Sequence, residues 1–214
     1  KQLHELWELD IASAPLTDDT IGIDTIETMV AKMKEKPWPV YKIKVGVEND
    51  IEMVTELRKH TDAVFRVDAN AGWKLEQALQ KIPVLKDLGV ELVEQPLAKE
   101  DWDGMKILFE RSPLPLLADE SCVVEQDVEK CHGHFHGINI KLTKCSGITP
   151  ARRMITRAKE LGLTVMIGCM NESSVGTAAI AQLAPMLDYV DMDGPLLLAE
   201  DIAEGVKFDF GTIL

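Results

Sequence analysis

Short apolar runs alternate along this chain with longer stretches in which apolar residues recur every three or four positions. Thr20-Ile21-Gly22-Ile23 reads as a first strand, and Asp24 can cap a helix whose Ile26, Met29, Val30 and Met33 form one apolar stripe. Val40–Val45 is a second strand, with a helix starting at Asn49 or Asp50. Leu75, Ala78, Leu79, Ile82 and Leu85 stripe a third helix, kinked at Pro83 and stopped by Gly89. Trp102, Met105, Leu108 and Phe109 stripe a fourth, and a short fifth lies near Gln126–Cys131. Thr149 and Pro150 have the types expected of a cap and a first helical residue, so they open the sixth, which Gly162 closes. The seventh starts at Ser173 or Ser174, and Tyr189–Asp193 is an eighth strand. Such alternation means parallel strands joined by right-handed crossovers, in either a closed barrel or an open doubly wound sheet.

The polar residues that end the runs favour the barrel. Asp68, Glu94 and Asp119 each close an apolar run, at spacings of 26 and 25 residues. Lys44 lies 24 residues before Asp68, Lys141 lies 22 after Asp119, and Asp191 and Asp193 end the series. Polar groups one βα unit apart at the C-terminal ends of strands converge only if the sheet closes on itself. Three carboxylates offer hard oxygen ligands, which suit Mg²⁺ or Mn²⁺ better than zinc. The competing reading is that each carboxylate caps the helix that follows it.

Composition narrows the partners. The 214 residues are 46% hydrophobic and 28% charged, as expected of one globular domain. A net charge of -13 argues against nucleic acid and anionic membranes. No apolar run approaches a membrane span, and no signal peptide opens the chain. Cys122, Cys131, Cys145 and Cys169 form no C-x-x-C pair, so a cytoplasmic protein is expected. His132, His134 and His136 suggest a metal site, but they precede the sixth strand, on the face away from the polar strand ends.

In Tyr41-Lys42-Ile43-Lys44, strand alternation sends Ile43 under the helices and both lysines inward. A lysine inside a barrel is costly unless it is paired or functional. In Ile138-Asn139-Ile140-Lys141 the same parity turns Asn139 and Lys141 inward. Strands two and six of eight face each other, so Lys44 and Lys141 would flank one carbon from opposite sides. Lys42 and a metal would push their pKa values toward neutrality, as general bases require.

The Lys-x-Lys strand, Asp-Ala-Asn, Glu-Gln-Pro, Asp-Glu-Ser and Asn-Ile-Lys-Leu, in this order, resemble the enolase superfamily, muconate-lactonizing-enzyme subgroup. The resemblance covers nearly all of residues 20–195 and implies a (β/α)7β barrel. It also implies a Mg²⁺ site at Asp68, Glu94 and Asp119, and an acid/base pair in Lys44 and Lys141. Asp191-Met192-Asp193 and Gly168-Cys169-Met170 resemble the dipeptide epimerases, which interconvert stereoisomers such as L-Ala-D-Glu and L-Ala-L-Glu. On that resemblance the two aspartates grip a substrate ammonium, while Cys169, Met170 and Asn139 contact a dipeptide. The reaction implied is a two-base proton transfer, through an enediolate, at the α-carbon beside a metal-bound carboxylate. Sister activities remain open: N-succinylamino-acid racemase, o-succinylbenzoate synthase or cycloisomerase, or an inactive barrel. Residues 1–19 are then the remnant helix and linker of an absent capping domain, and 196–214 the segment that returns to it. A homo-oligomer is expected.

Overall fold

A computed structural model describes residues 2–214. Eight parallel strands pair in chain order, β1 to β8, each with its sequence neighbours. The strands are β1 (Asp19–Ile21), β2 (Val40–Lys44), β3 (Val64–Asp68), β4 (Val90–Glu94), β5 (Leu116–Ala118), β6 (Gly137–Ile140), β7 (Thr164–Gly168) and β8 (Tyr189–Asp191). Seven barrel helices separate them: α1 (Ile26–Glu35), α2 (Asp50–Arg58), α3 (Leu75–Asp87), α4 (Trp102–Arg111), α5 (Asp127–Cys131), α6 (Ile148–Glu160) and α7 (Ser174–Ala181). A parallel bridge from Thr17 to Val190 joins the two ends of the sheet. The fold is a (β/α)7β barrel, the closed form that the polar strand ends favour and the family resemblance implies.

The core lies mainly between the strands and the helices. Ile43, Phe65, Val67 and Ile138 turn outward and bury themselves against Met29, Met53, Leu57 and Met154. Fully burying a side chain of this size contributes on the order of 1.5–3 kcal/mol. Inside the barrel a smaller apolar cluster, Leu92, Leu117 and Met166 with Tyr189, fills the floor. Lys42 and Arg66, paired in register on β2 and β3, complete that interior and carry charge into it.

Several boundaries differ from the sequence pattern. Thr25 rather than Asp24 caps α1, its hydroxyl accepting the amide of Thr28 at 3.3 Å. Helix α3 runs through Pro83 to Asp87. Helix α6 begins at Ile148, so Thr149 and Pro150 lie in its first turn; Gly147, at φ 110, makes the sharp entry that an L side chain resists. A four-residue helix, Leu142–Cys145, precedes it. Strand β8 ends at Asp191, and Asp193 opens a 3₁₀ turn over Gly194–Leu197. The first contact of the closing seam is at Thr17, two residues before β1 and within residues 1–19.

Residues 196–214 do not form an eighth helix. They pass α7, where Asp201 accepts the Ser174 amide at 2.8 Å. They end in a hairpin, β9 (Phe208–Asp209) and β10 (Thr212–Ile213). The Gly211 carbonyl accepts the Thr17 amide at 2.9 Å, and Phe210 packs near Trp38, so the hairpin sits beneath the barrel.

Candidate active site

The register sets out the site row by row. Lys44 pairs with Asp68 and Asp68 with Glu94, which places three consecutive strand ends at one level. Asp119 follows β5 by one residue and Lys141 follows β6 by one. Lys42, Lys44, Asp119, Lys141, Cys169, Met170, Asp191 and Asp193 line one pocket of about 460 Å³. Asp68, Glu94 and Asn139 lie at its floor, tied to it through Lys42 and each other. All of the residues singled out by the strand-end pattern therefore come together.

Lys42 is the hub. Its Nζ lies 2.8 Å from Asp191, 2.9 Å from Glu94 and 3.2 Å from Asp68, with only 2% of the side chain exposed. Burial pulls its pKa down, but the carboxylates of Asp191, Glu94 and Asp68 more than offset that and raise it well above the ordinary lysine value. Lys44 reaches toward solvent, 2.7 Å from Asp68 Oδ2 and 3.1 Å from Asn70 Oδ1. Lys141 donates to the Cys169 carbonyl at 3.3 Å and lies 3.6 Å from Asp119. Its pKa moves opposite to expectation: burial and Lys42 pull it down, but Glu94, Asp119 and Asp191 outweigh them and raise it.

Strand β7 makes room for that lysine. A Cβ on Gly168 would fall 2.5 Å from Lys141 Nζ and 2.9 Å from Asn139 Nδ2. Asn139 donates to Glu94 at 2.7 Å, leaving its own Oδ1 buried and unpartnered.

The last two aspartates differ in their surroundings. Asp191 is buried, yet Lys42 and Lys141 hold its carboxyl below the ordinary range. Asp193 accepts the Thr20 amide at 2.8 Å, with Cys169 Sγ 3.5 Å from its other oxygen. Burial, and then the charge of Asp191, push Asp193 up to about 6. Cys169, Asp191 and Asp193 present ligand atoms within 4.8 Å of one another, an anionic corner suited to a cation. The Cys169 thiol is pushed far up by burial and the same aspartates, so it is no nucleophile.

Residues outside the strand-end pattern also shape the site. Lys144, one turn after Lys141, lies 2.7 Å from Asp119 Oδ1. Gln95 Oε1 accepts the amides of Asp119 and Ser121 at 3.0 and 3.1 Å, fixing the loop after β5. Asp50 Oδ1 accepts the amides of Gly46 and Val47, both at 2.9 Å, and its Oδ2 accepts the Trp73 indole at 2.7 Å. That carboxylate binds the loop after Lys44 to the loop after Asp68. Helix-start parity flags Asp50 only as a cap, and nothing in the spacing marks Gln95. Of the histidines, His136 Nδ1 accepts the Leu116 amide at 3.1 Å and His134 lies edge-on to Trp102. These are packing roles outside the pocket.

The sequence profile described as enolase C-terminal domain-like matches residues 24–207. The chain belongs to that family. An L-Ala-D/L-amino acid epimerase of Flavobacterium johnsoniae is 58% identical over 213 residues, covering 100% of this chain and 63% of that protein. A Maribacter sp. protein of the same name is 60% identical, over 97% of this chain and 61% of its own length. A dipeptide epimerase of Enterococcus faecalis V583, solved with Mg and L-Leu-L-Tyr, superposes with a TM-score of 0.88 at 34% identity. The match covers 94% of this chain and 61% of that one. The chain thus spans about three fifths of the relatives it matches. No helix among the described residues is long and apolar enough to cross a membrane.

Proposed function

We propose that this barrel carries the chemistry of a dipeptide epimerase, inverting the α-carbon beside a dipeptide's carboxylate. The observation that supports it most is a single pocket with lysines entering from opposite strands, β2 and β6, and an anionic corner at β8. Asp68, Glu94 and Asp119 fit a divalent cation. They offer only oxygen, lie at the pocket's floor and rim, and are nearly inaccessible, at 1%, 1% and 5% exposure. Lysines already neutralise each of them, at 2.7–3.6 Å, so the cluster demands positive charge. These three residues would hold Mg²⁺, or Mn²⁺ by the same oxygen chemistry. The ion supplies Lewis acidity that favours an enediolate.

A cation held by Glu94 and Asp119 would offset two of the three carboxylates that raise Lys141, letting burial and Lys42 lower it toward a working base. One of Lys44 and Lys141 removes the α-proton, and the other returns a proton to the opposite face. Lys42, locked by three carboxylates, supplies field rather than proton transfer. Asp193, with Asp191 behind it, receives the ammonium: a carboxylate displaced to about 6 gains most from a cationic partner. Met170, Cys169 and Asn139 border the bound dipeptide. Four unpaired cysteines suit a reducing cytoplasm.

The test is deuterium incorporation from D₂O into L-Ala-L-Glu and L-Ala-D-Glu, followed by mass spectrometry in a protein of the relatives' full length. Lys44→Ala and Lys141→Ala should each abolish epimerisation while still exchanging the α-proton of one stereoisomer. Full two-way epimerisation by either variant refutes the two-base reading. Equal turnover of N-acylated and free dipeptides would instead favour the sister racemases.

A further inference from the structure

At the seam between β1 and β8, two buried acids stand side by side behind the pocket. Thr17 bridges Val190 in parallel register, so Asp18 lies opposite Asp191 on the next rung, and both turn into the barrel. Asp18 is 0% exposed and Asp191 4%. One oxygen of each is engaged: Asp18 Oδ2 by Arg66 at 3.0 Å, and Asp191 Oδ2 by Lys42 at 2.8 Å. The other oxygen of each, Oδ1, is buried with no partner. Parallel register on adjacent strands sets the two carboxyl groups side by side on the same face. Two carboxylates cannot present bare lone pairs to each other in a dry interior, whereas one proton between them satisfies both.

We propose that Asp18 is a neutral carboxylic acid at physiological pH, donating its proton to the free oxygen of Asp191 and so acting as a positioning residue for the ammonium corner. This rests on the dipeptide-epimerase reading only for the purpose of that corner; the proton's location stands on the seam itself.

The surroundings decide which acid keeps the proton. Asp18 faces Arg66 from β3, Asp191 from β8, and, farther off, Lys42 from β2 and Asp193. Arg66 is divided: its Nε binds Glu91 at 2.8 Å, its NH1 also donates to the Val190 carbonyl at 3.2 Å, and its guanidinium lies over the Tyr189 ring. Asp18 therefore receives a fraction of one cation, while Asp191 receives Lys42 and Lys141. Burial and the charge of Asp191 raise Asp18 well above the carboxylate range, against the pull of Arg66 and Lys42. With the proton on Asp18, Asp191 keeps its full charge and both of its oxygens are fixed, one by Lys42 and one by the Asp18 hydroxyl. The plane of the carboxylate that stands behind Asp193 is then set before any substrate arrives.

Asp18→Asn tests this, because an amide reproduces the neutral acid: its NH₂ donates to Asp191 and its oxygen accepts from Arg66. Infrared spectra of the 214-residue chain at pH 8 should show a protonated-carboxyl band that Asp18→Asn removes. The variant should unfold in urea within experimental error of the parent, since no charge has been lost. In the full-length enzyme Asp18→Asn should keep its KM for free dipeptides. Asp18→Ala should raise it about tenfold, the value of one lost charge-assisted hydrogen bond, with kcat little changed. A band that survives Asp18→Asn, or no band in the parent, overturns the proposal. So does an Asp18→Asn chain that behaves like Asp18→Ala. Should Asp18→Asn not fold, the ¹³Cγ resonance of Asp18 in the labelled parent decides: a neutral-acid shift up to pH 8 supports the proposal and a carboxylate shift refutes it. The spectra need no turnover, so a failed epimerase assay leaves them interpretable.

Discussion

Replacing Asp193 by asparagine should make the substrate-free chain more stable, by an amount that grows with pH. The folded carboxyl titrates at about 6 against an ordinary value of 3.8. The folded state therefore holds this proton more tightly than the unfolded chain, and stability falls as pH rises from about 4 through 6, then levels off. The gap between those values is worth about 3 kcal/mol, at ~1.4 kcal/mol per tenfold change. Asparagine removes the charge but can keep the bond from the Thr20 amide through its carbonyl, and its NH₂ can face Cys169. Urea denaturation in the presence of a chelator should then show Asp193→Asn ahead by about 2–3 kcal/mol at pH 8 and level with the parent near pH 4. A gain that is constant with pH, or a parent more stable at pH 8, would refute the reasoning. The same substitution should weaken free dipeptides in the full-length enzyme by ~1.5–3 kcal/mol and leave N-acylated analogues unaffected. An ammonium bound at Asp193 should restore the stability forgone in the empty pocket.

Lys42→Met should destabilise the chain by about 3–5 kcal/mol in the same assay, because Asp68, Glu94 and Asp191 lose their shared cation while staying buried. Asp119→Asn should lower Mg²⁺ affinity by calorimetry while the far-ultraviolet spectrum stays that of the folded barrel; unchanged affinity contradicts its place among the ligands. Gly168→Ala should displace Lys141 and cost about 1–3 kcal/mol, with kcat falling more than KM rises; an unperturbed kcat would show that the Lys141 amine tolerates movement.

The barrel was legible because most strands are runs of apolar residues ending at a polar one, and strand parity alone turned Lys42, Lys44 and Asn139 inward. The closing seam was not legible. Thr17, Asp18 and Asp19 are polar, so they read as linker, although the first two are completely buried. Across the seam the partners lie more than 170 residues apart, Thr17 with Met192 and Thr20 with Asp193, a separation no local pattern encodes. Lys42 is legible as charged, inward and a source of positive field, but not as a residue clasped by three acids on three other strands. The start of α6 was misread because Thr-Pro has the chemistry of a cap, whereas Gly147 has the required positive φ. Lys141 moved opposite to expectation because its nearest acids are visible only in three dimensions.

The clasp of the barrel deserves a mechanical reading. Only the Thr17–Val190 bridge joins the first and last strands as backbone pairing among the described residues. The rest of that joint runs through side chains: Thr17 Oγ1 accepts the Met192 amide at 2.8 Å, Asp193 accepts that of Thr20 at 2.8 Å, and Arg66 spans the Asp18 carboxyl and the Val190 carbonyl. A hoop fastened this way transmits load through the groups that would hold the guest. A cation in the anionic corner should tighten the fastening at Asp193, and its loss should loosen the ring at that one point. The amides of Thr20 and Met192 should then serve as gauges of occupancy, exchanging with solvent more slowly when a cation sits between the two ends.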